Sequence, residues 1–583
     1  MSRLCLRKKQ KIILHTIKMD NLLFDVSNSS EVQSEPFVKR ELIYVLDSNN
    51  GNYNGQILLD TSSLSNSGKY ASYSEAYLQV PLVTYLRAEG TNFTNFSTIA
   101  TSFASGLKAG YHHLIHSISV EYNNVSVVQL TPFTNFHVSY KLMTQSSWND
   151  VVKNGSTNLF IPDTPTSMSF NATAGNNGTG NGVCNNQDSG TTTTTAMNGQ
   201  FRMDQVNAGL RQRQLLTCYD PATTGYTANF MTQNTCNAVG KDYYVDSGVA
   251  DPNNIKVWYV LATIRLKDIC DFFDKLPLVK GAFVKMTINT NTAVHNLQAT
   301  VAGGLLTNLV QTSAVINGGT TPLMFPSMTG TNGSALIGST LVALGNATYN
   351  LSYGCGIGKV TVGNSTFSHP TFSGCRLYCP LYTLNPVQED QYLSLNRQKR
   401  IVYKDIYQYQ ITNVSANNGQ INTLLTNGIS DAKTVILIPF LNNAVTGQNG
   451  FSPFQSVFDT APGTTSPSIA LTQFNVQVGG INMFVQNENY DFEQFLNELS
   501  SINAVNGNLT TGLTSGLIDK SAFEYGYRYY VCDVGRRLPA EDTVQKSIQI
   551  LGQNASTKAI DLYCFIEFEK SITIDLMTGA KID

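Results

Sequence analysis

The strongest constraint on this chain is the way its apolar residues are broken up. They come in short runs closed by clusters of Asn, Gly, Ser or Thr. Phe37–Leu46 leads to the turn signal Asn49-Asn50-Gly51, then come Gln56–Leu59 and Ala76–Val83, and the style continues around Ser119–Tyr122. Short runs punctuated in this way form the strands of sandwiches and barrels, since Asn and Gly accept the backbone angles that tight turns demand. Charge agrees: Asp, Glu, Lys and Arg make up 13% of the 583 residues, against about 25% in ordinary soluble proteins. Long exposed helices usually carry Glu and Lys, and here Asn, Ser, Thr and Gly supply the polarity instead.

The balance of 38 Lys+Arg against 40 Asp+Glu leaves a net charge of −2, which argues against a surface wholly devoted to nucleic acid. With 42% hydrophobic and 10% aromatic residues, the chain is also not of the disordered kind. Val435–Leu441, the longest strongly apolar stretch of the C-terminal half, contains Pro439 and falls far short of the ~20 residues a spanning helix needs. After the basic N-terminus only Ile12-Ile13-Leu14 is apolar, too little for the roughly 7–15-residue core of a secretory signal. The ten cysteines form no dense framework, and several sit in apolar runs such as Leu562–Ile566. There a thiol acts as a small buried hydrophobe, so a reduced chain folded inside a cell is expected.

Residues 1–35 read as a basic arm: Arg3, Arg7, Lys8, Lys9, Lys11 and Lys18 precede the first acid, Asp20, and Met19 is an alternative start. Residues 171–197 are low in complexity and are expected to be a long exposed loop, as is a second stretch through Gly318-Gly319-Thr320-Thr321 and 329–334. The chain echoes itself. Asn54-Gly55-Gln56-Ile57 is followed by a run ending Pro81-Leu82-Val83, and Asn418-Gly419-Gln420-Ile421 by a run ending Pro439-Phe440-Leu441. Each copy follows a basic, aromatic strand, Val38–Leu46 or Lys399–Ile411. Two related β domains in tandem are the expectation.

Helices are expected at 147–152, where Ser147 and Asp150 have capping-box spacing, at 269–276, and again at 492–499. In the last two, apolar residues fall at i, i+3, i+4 and i+7. Alternation predicts half-buried strands over 282–289 and 560–569, the latter tied into a sheet near the terminus.

Little of this carries chemistry. His112, His113 and His116 could share a metal, but no further His or Cys cluster completes a tetrahedral set, so hydrogen-bonded histidines are expected. Cys375 and Cys379 lack a second pair and are expected to be buried. Gly354–Val360 fails the phosphate-loop pattern at its first glycine and at the hydroxyl after Lys359, and reads as a turn between strands. Gly512–Gly516 puts its serine one place late for a nucleophile elbow. Asp268, Asp271 and Asp274 are expected on the solvent side of their helix. The Asn-x-Ser/Thr sequons suit chance in so Asn-rich a chain. No catalytic, cofactor or metal site is expected, and the chain is not read as an enzyme.

Three blocks resemble a known family. Val257–Asn289 is similar to a signature of the double-jelly-roll major capsid proteins of virophages and polinton-like viruses. So is Asn503–Ile518, running on through Tyr525–Tyr530, Gly535–Pro539 and Lys546–Gln549, and so are the closing strands Phe565–Glu569 and Ile572–Asp575. The resemblance implies an all-β fold of two tandem eight-stranded jelly-roll sandwiches with short helices and long loop insertions. The first would occupy 36–290 and the second 291–583, with a loop-rich stretch at about 312–370. It further implies a major capsid protein that trimerises into pseudo-hexagonal capsomers of an icosahedral virion shell, without a cofactor. The implied partners are the chain itself, a penton or minor capsid protein, and genome or internal membrane through the arm (Arg3, Arg7, Lys8, Lys9, Lys11, Lys18). The competing expectation is a carbohydrate-binding or adhesin-like β-sandwich surface protein.

Overall fold

The computed structural model describes residues 37–89, 106–162, 255–302, 305–324, 347–441, 470–505, 515–535 and 544–582, apart from a few single positions, with short pieces at 169–170, 184–185, 213 and 243–246. The arm and most of 171–197 lie outside the described residues.

Strand order defines the fold. In the first lobe the sandwich strands are β1 (Phe37–Leu46), β2 (Gln56–Asp60), β3 (Tyr77–Glu89), β4 (Ile115–Tyr122), β5 (Val125–Val128), β6 (Ile255–Arg265), β7 (Val284–Thr290) and β8 (Arg376–Leu384). One sheet runs β1-β8-β3-β6 and the facing one β2-β7-β4-β5. The second lobe has β9 (Gln398–Val414), β10 (Gly419–Ile429), β11 (Ala432–Leu441), β12 (Leu471–Val478), β13 (Ile481–Asn482), β14 (Tyr530–Asp533), β15 (Lys546–Asn554) and β16 (Ile560–Asp575). Its two four-stranded sheets run β9-β16-β11-β14 and β10-β15-β12-β13. Both lobes therefore follow 1-8-3-6 over 2-7-4-5, and the chain is a tandem pair of jelly rolls.

The sequence echo falls on equivalent places. Gly55 and Asn418 hold positive φ of 80° and 68° just before the second strand of each lobe. Pro81 and Pro439 both lie in the third strand. At Pro81 that strand changes neighbour: Tyr77–Gln79 pairs with β8, and Leu82–Glu89 with an inserted strand, Ala347–Ile357. A residue without an N–H is tolerated where a ladder is interrupted.

The inserted strands Thr292–Ala302, Leu305–Asn317 and Ala347–Ile357 extend the first sheet between β7 and β8. The first sandwich thus closes at Leu384, beyond the expected limit of 290, because its eighth strand is supplied only after the insertion. In that region Gly358, at φ 73°, makes the expected turn, while Gly354 and Gly356 lie in the strand. A Cβ on Gly354 would meet the Tyr85 ring at 2.7 Å. The stretch at 319–321 is not an exposed loop. Thr320 and Thr321 are fully buried, since Asn135 and Asn291 donate to the Thr320 hydroxyl at 3.0 and 2.9 Å and His295 pairs with Thr321 at 2.6 Å. Polar residues enter a core when their hydrogen bonds are met there.

Helices fill the connection between the fifth and sixth strands of both lobes: α1 (Thr134–Gln145) and α2 (Trp148–Asn158) in the first, α6 (Phe492–Val505) and α7 (Lys520–Tyr525) in the second. The helix expected at 269–276 is two pieces, α3 (Leu266–Ile269) and α4 (Asp271–Lys275), parted by extended Cys270. It lies between the sixth and seventh strands, so the topological counterpart of α6 is α1. Its apolar face is buried as expected at Ile269, Phe272, Phe273 and Leu276. One more helix, α5 (Pro386–Asn396), joins the lobes.

The two cores interlock. Strands β9 and β16, 17 and 16 residues long, run past their own lobe and deliver Ile401, Tyr403, Ile572 and Ile574, with Leu576 just after β16, to the first core. In return α1 and α2 place Phe136, Tyr140, Met143 and Val151 in the second. Strand β16 is consequently buried on both faces over Ile560–Phe568, where alternation predicts one buried face. The cause is α1 and the Phe133 that caps it: Phe133 and Phe136 lie 4.9 and 5.1 Å from the Tyr563 ring.

Candidate functional site

Where α1, α3, α4 and the crossing strands β9 and β16 meet, the lobes leave a cleft of about 540 Å³. Its walls are charged. Glu567, on β16, accepts from His137 of α1 at 2.9 Å and from Lys404 of β9 at 3.2 Å. Burial alone would raise its carboxyl pKa, but the Lys404 charge and the His137 hydrogen bond outweigh burial and hold it well below the usual carboxylate range. Lys404 is raised in turn, chiefly by the charge of Glu567.

Asp405, nearly inaccessible, pairs with Lys570 at 2.5 Å and accepts from its own strand at Ile406 N. Asp271 accepts from the Lys404 backbone at 2.9 Å, Arg265 holds Asp268 at 2.8 Å, and Lys141 donates to the Lys267 carbonyl at 3.2 Å. Thr131 adds a bond to the Ile406 carbonyl at 2.9 Å. The His137–Glu567, Asp271–Lys404 and Thr131–Ile406 contacts join the two lobes, and the cleft is built as a lock. Each carboxylate named here is satisfied by a cation or a backbone N–H.

Of the aspartates expected on the solvent side, Asp274 is exposed, whereas Asp268 and Asp271 are half-buried and face the cleft. The break at Cys270 turns them inward. His112 and His113 sit in a buried 3-10 turn, Tyr111–Leu114, and only His116 is on a strand. His112 pairs with Ser139 at 3.0 Å and His113 with Asn135 at 2.7 Å, while His116 packs edge-on to Phe133. Burial lowers the pKa of all three, His112 to about 3. Among the described residues no group of three or more His, Cys, Asp or Glu is placed to hold a metal. Cys375 and Cys379 are fully buried free thiols, raised by burial to about 12. Arg3, Arg7, Lys8, Lys9, Lys11 and Lys18 lie outside the described residues.

Sequence reasoning missed Glu567, Lys404, His137 and Asp405. The signal was present: a charged residue inside one of the most apolar strands of so weakly charged a chain is costly unless it is paired.

No family model and no curated protein sequence matches the chain. Among solved structures it is similar to the mavirus major capsid protein, at 10% identity and a TM-score of 0.44, over 96% of this chain and 94% of that one. It is similar to a chain of the Sputnik virophage structure at 10% identity and 0.40, over 94% and 89%. The Faustovirus major capsid protein aligns at 10% identity and 0.38, over 93% and 91%.

Proposed function

We propose that this chain is a major capsid protein, a structural block that assembles with its own copies into the shell of an icosahedral virion. The observation that carries this reading is the same eight-strand order twice in one chain, with the two cores exchanged through α1 and β16. A rigid pair of like lobes offers like contacts on neighbouring sides, which is what closed symmetric assembly uses. Three copies present six lobes, matching six-fold positions of a shell. Low charge with abundant Tyr, Phe and Asn suits broad contact surfaces. The units are 37–384 and 385–582, with 1–35 as an assembly arm whose basic residues face the interior and meet neighbours, genome or internal membrane. A penton or minor capsid protein completes the partners.

Electron microscopy and light scattering of the purified protein at high concentration test the reading. Hexagonal capsomers or shells built of trimers are expected. A monodisperse 63.7 kDa species that binds glycans would replace it with the surface-lectin reading. Deleting 1–18 is expected to impair shells and leave trimers intact; unaffected shells would remove the arm's role.

A further inference from the structure

Helix α1 is held from two sides. Toward the second lobe it lies over β16, and its His137 meets the Glu567 carboxylate at 2.9 Å. Toward the first lobe it meets a buried knot of basic groups, in which His113 and Lys108 are 0% exposed and His112 5%. Two of the histidines hold the helix directly. The Ser139 hydroxyl donates to the Asn135 carbonyl at 2.9 Å, so its oxygen accepts from His112 Nε2 at 3.0 Å. His113 Nδ1 accepts from the Asn135 amide at 2.7 Å, as an unprotonated nitrogen must. The third, His116, packs edge-on to Phe133 at the start of α1, and its buried Nδ1 has no hydrogen-bond partner among the described residues.

The elements packed around His113 bring more positive charge. Lys108 comes from the segment before its turn, and Arg213 lies alongside, donating to the Leu107 carbonyl at 2.9 Å. Residues 291–295 bring Asn291 and His295, 320–321 bring two threonines, and α1 brings Asn135 and Ser139. Burial pushes the His113 pKa down, and the charges of His112, Lys108, Arg213 and His116 push it the same way. Burial takes His112 to about 3 and lowers His116.

We propose that this knot is an acid-released catch: when its histidines gain protons, α1 is freed from the first lobe and stays on the second. A proton on His113 Nδ1 sets one N–H against another. Turning the Asn135 amide over can remake that bond, so the deciding cost is the added charge beside Lys108 and Arg213 in a dry site. On the opposite side a proton gained by His137 faces the Glu567 carboxylate, so acid unfastens one side of α1 and keeps the other. The sign is that of a histidine kept neutral by folding. Its contribution is complete above the ordinary pKa of about 6.5 and is lost as the pH falls below it. Glu567 begins to lose its own contribution only below about 4.3, so the catch opens first.

Hydrogen exchange of the full chain at pH 7 and pH 5, corrected for intrinsic exchange rates, tests this. A histidine that ionises only in the opened state multiplies the opening constant about 25-fold over that step. Protection is therefore expected to fall about 25-fold or more at 111–116, 291–295 and 319–321, with 560–568 of β16 unchanged. His112→Gln and His113→Gln, made singly, are each expected to shrink that fall by about 25-fold, whatever they cost at pH 7. The wild-type map decides by itself where a variant does not fold. A map that is the same at pH 7 and pH 5, a loss that begins in β16 or spreads evenly over both lobes, or variants that fall as far as the wild type would overturn the proposal.

Discussion

The two lobes share a strand order and differ in what interrupts it. In the second, β15 passes to β16 through 555–559; in the first, β7 reaches β8 only after 291–375, which adds three long strands to the sheet. Such an insertion is tolerated because the cost of closing a loop grows slowly with its length, provided the two framework strands still find their partners. Dependence runs the other way. The compact second lobe cannot cover its own outer face and borrows α1, while the first takes the ends of β9 and β16 into its core. Elaboration and autonomy are separate properties here, and neither lobe is self-sufficient.

The sharpest way to break this comparison is at Phe136, a first-lobe residue buried between Tyr563 and Phe440 at 5.1 Å from each. Phe136→Ala is expected to cost about 3–5 kcal/mol, the loss of a buried ring plus the cavity it leaves. Hydrogen exchange should rise in β11, β14 and β16, in the other lobe. Loss of protection confined to 130–145 would show that the lobes are independent.

Next in size is the charged lock. Glu567→Gln leaves Lys404 partly buried opposite an uncharged amide, and removing one member of a buried pair costs roughly 3 kcal/mol or more. The sign with pH follows from the lowered pKa of Glu567. Its contribution is complete above the ordinary Glu value of about 4.3 and fades as the pH falls below it, when the unfolded chain binds the proton more readily. Melting temperatures of the wild type and Glu567→Gln should therefore differ most near pH 7 and converge toward pH 2. A gap that does not change with pH would mean that the residue acts by packing.

The framework was legible because turn chemistry and alternation are local. Asn-Gly before the second strand of each lobe, the alternation of Val284, Met286 and Ile288, and the Ser147–Asp150 capping box all appear where the residues place them. What was not legible depends on residues far apart in the chain. The eighth strand of the first lobe, Arg376–Leu384, pairs with Phe37–Leu46, a partnership no window of sequence contains. The burial of Thr320 needs Asn135 and Asn291, and the inward turn of Asp271 needs Lys404. The cleft was missed for the same reason, since its four central residues come from α1, β9 and β16. Periodicity also named one face of β16 correctly and missed the other, because α1 covers it from outside the segment.

The smallest effect sharpens the comparison by staying within one lobe. In the capping box the Ser147 hydroxyl accepts from Asp150 N at 3.2 Å, and the Asp150 carboxylate accepts from Ser147 N at 2.9 Å. Together they satisfy donors that the first turn of a helix otherwise leaves open. Ser147→Ala should cost about 1 kcal/mol. Because α2 leans on the second core only through Val151, the expected loss of protection is confined to 148–152, with β16 unchanged. Spread of that loss into β16 would mean that α2, like α1, belongs to the cover of the second lobe, and the division of labour between the two helices would have to be redrawn.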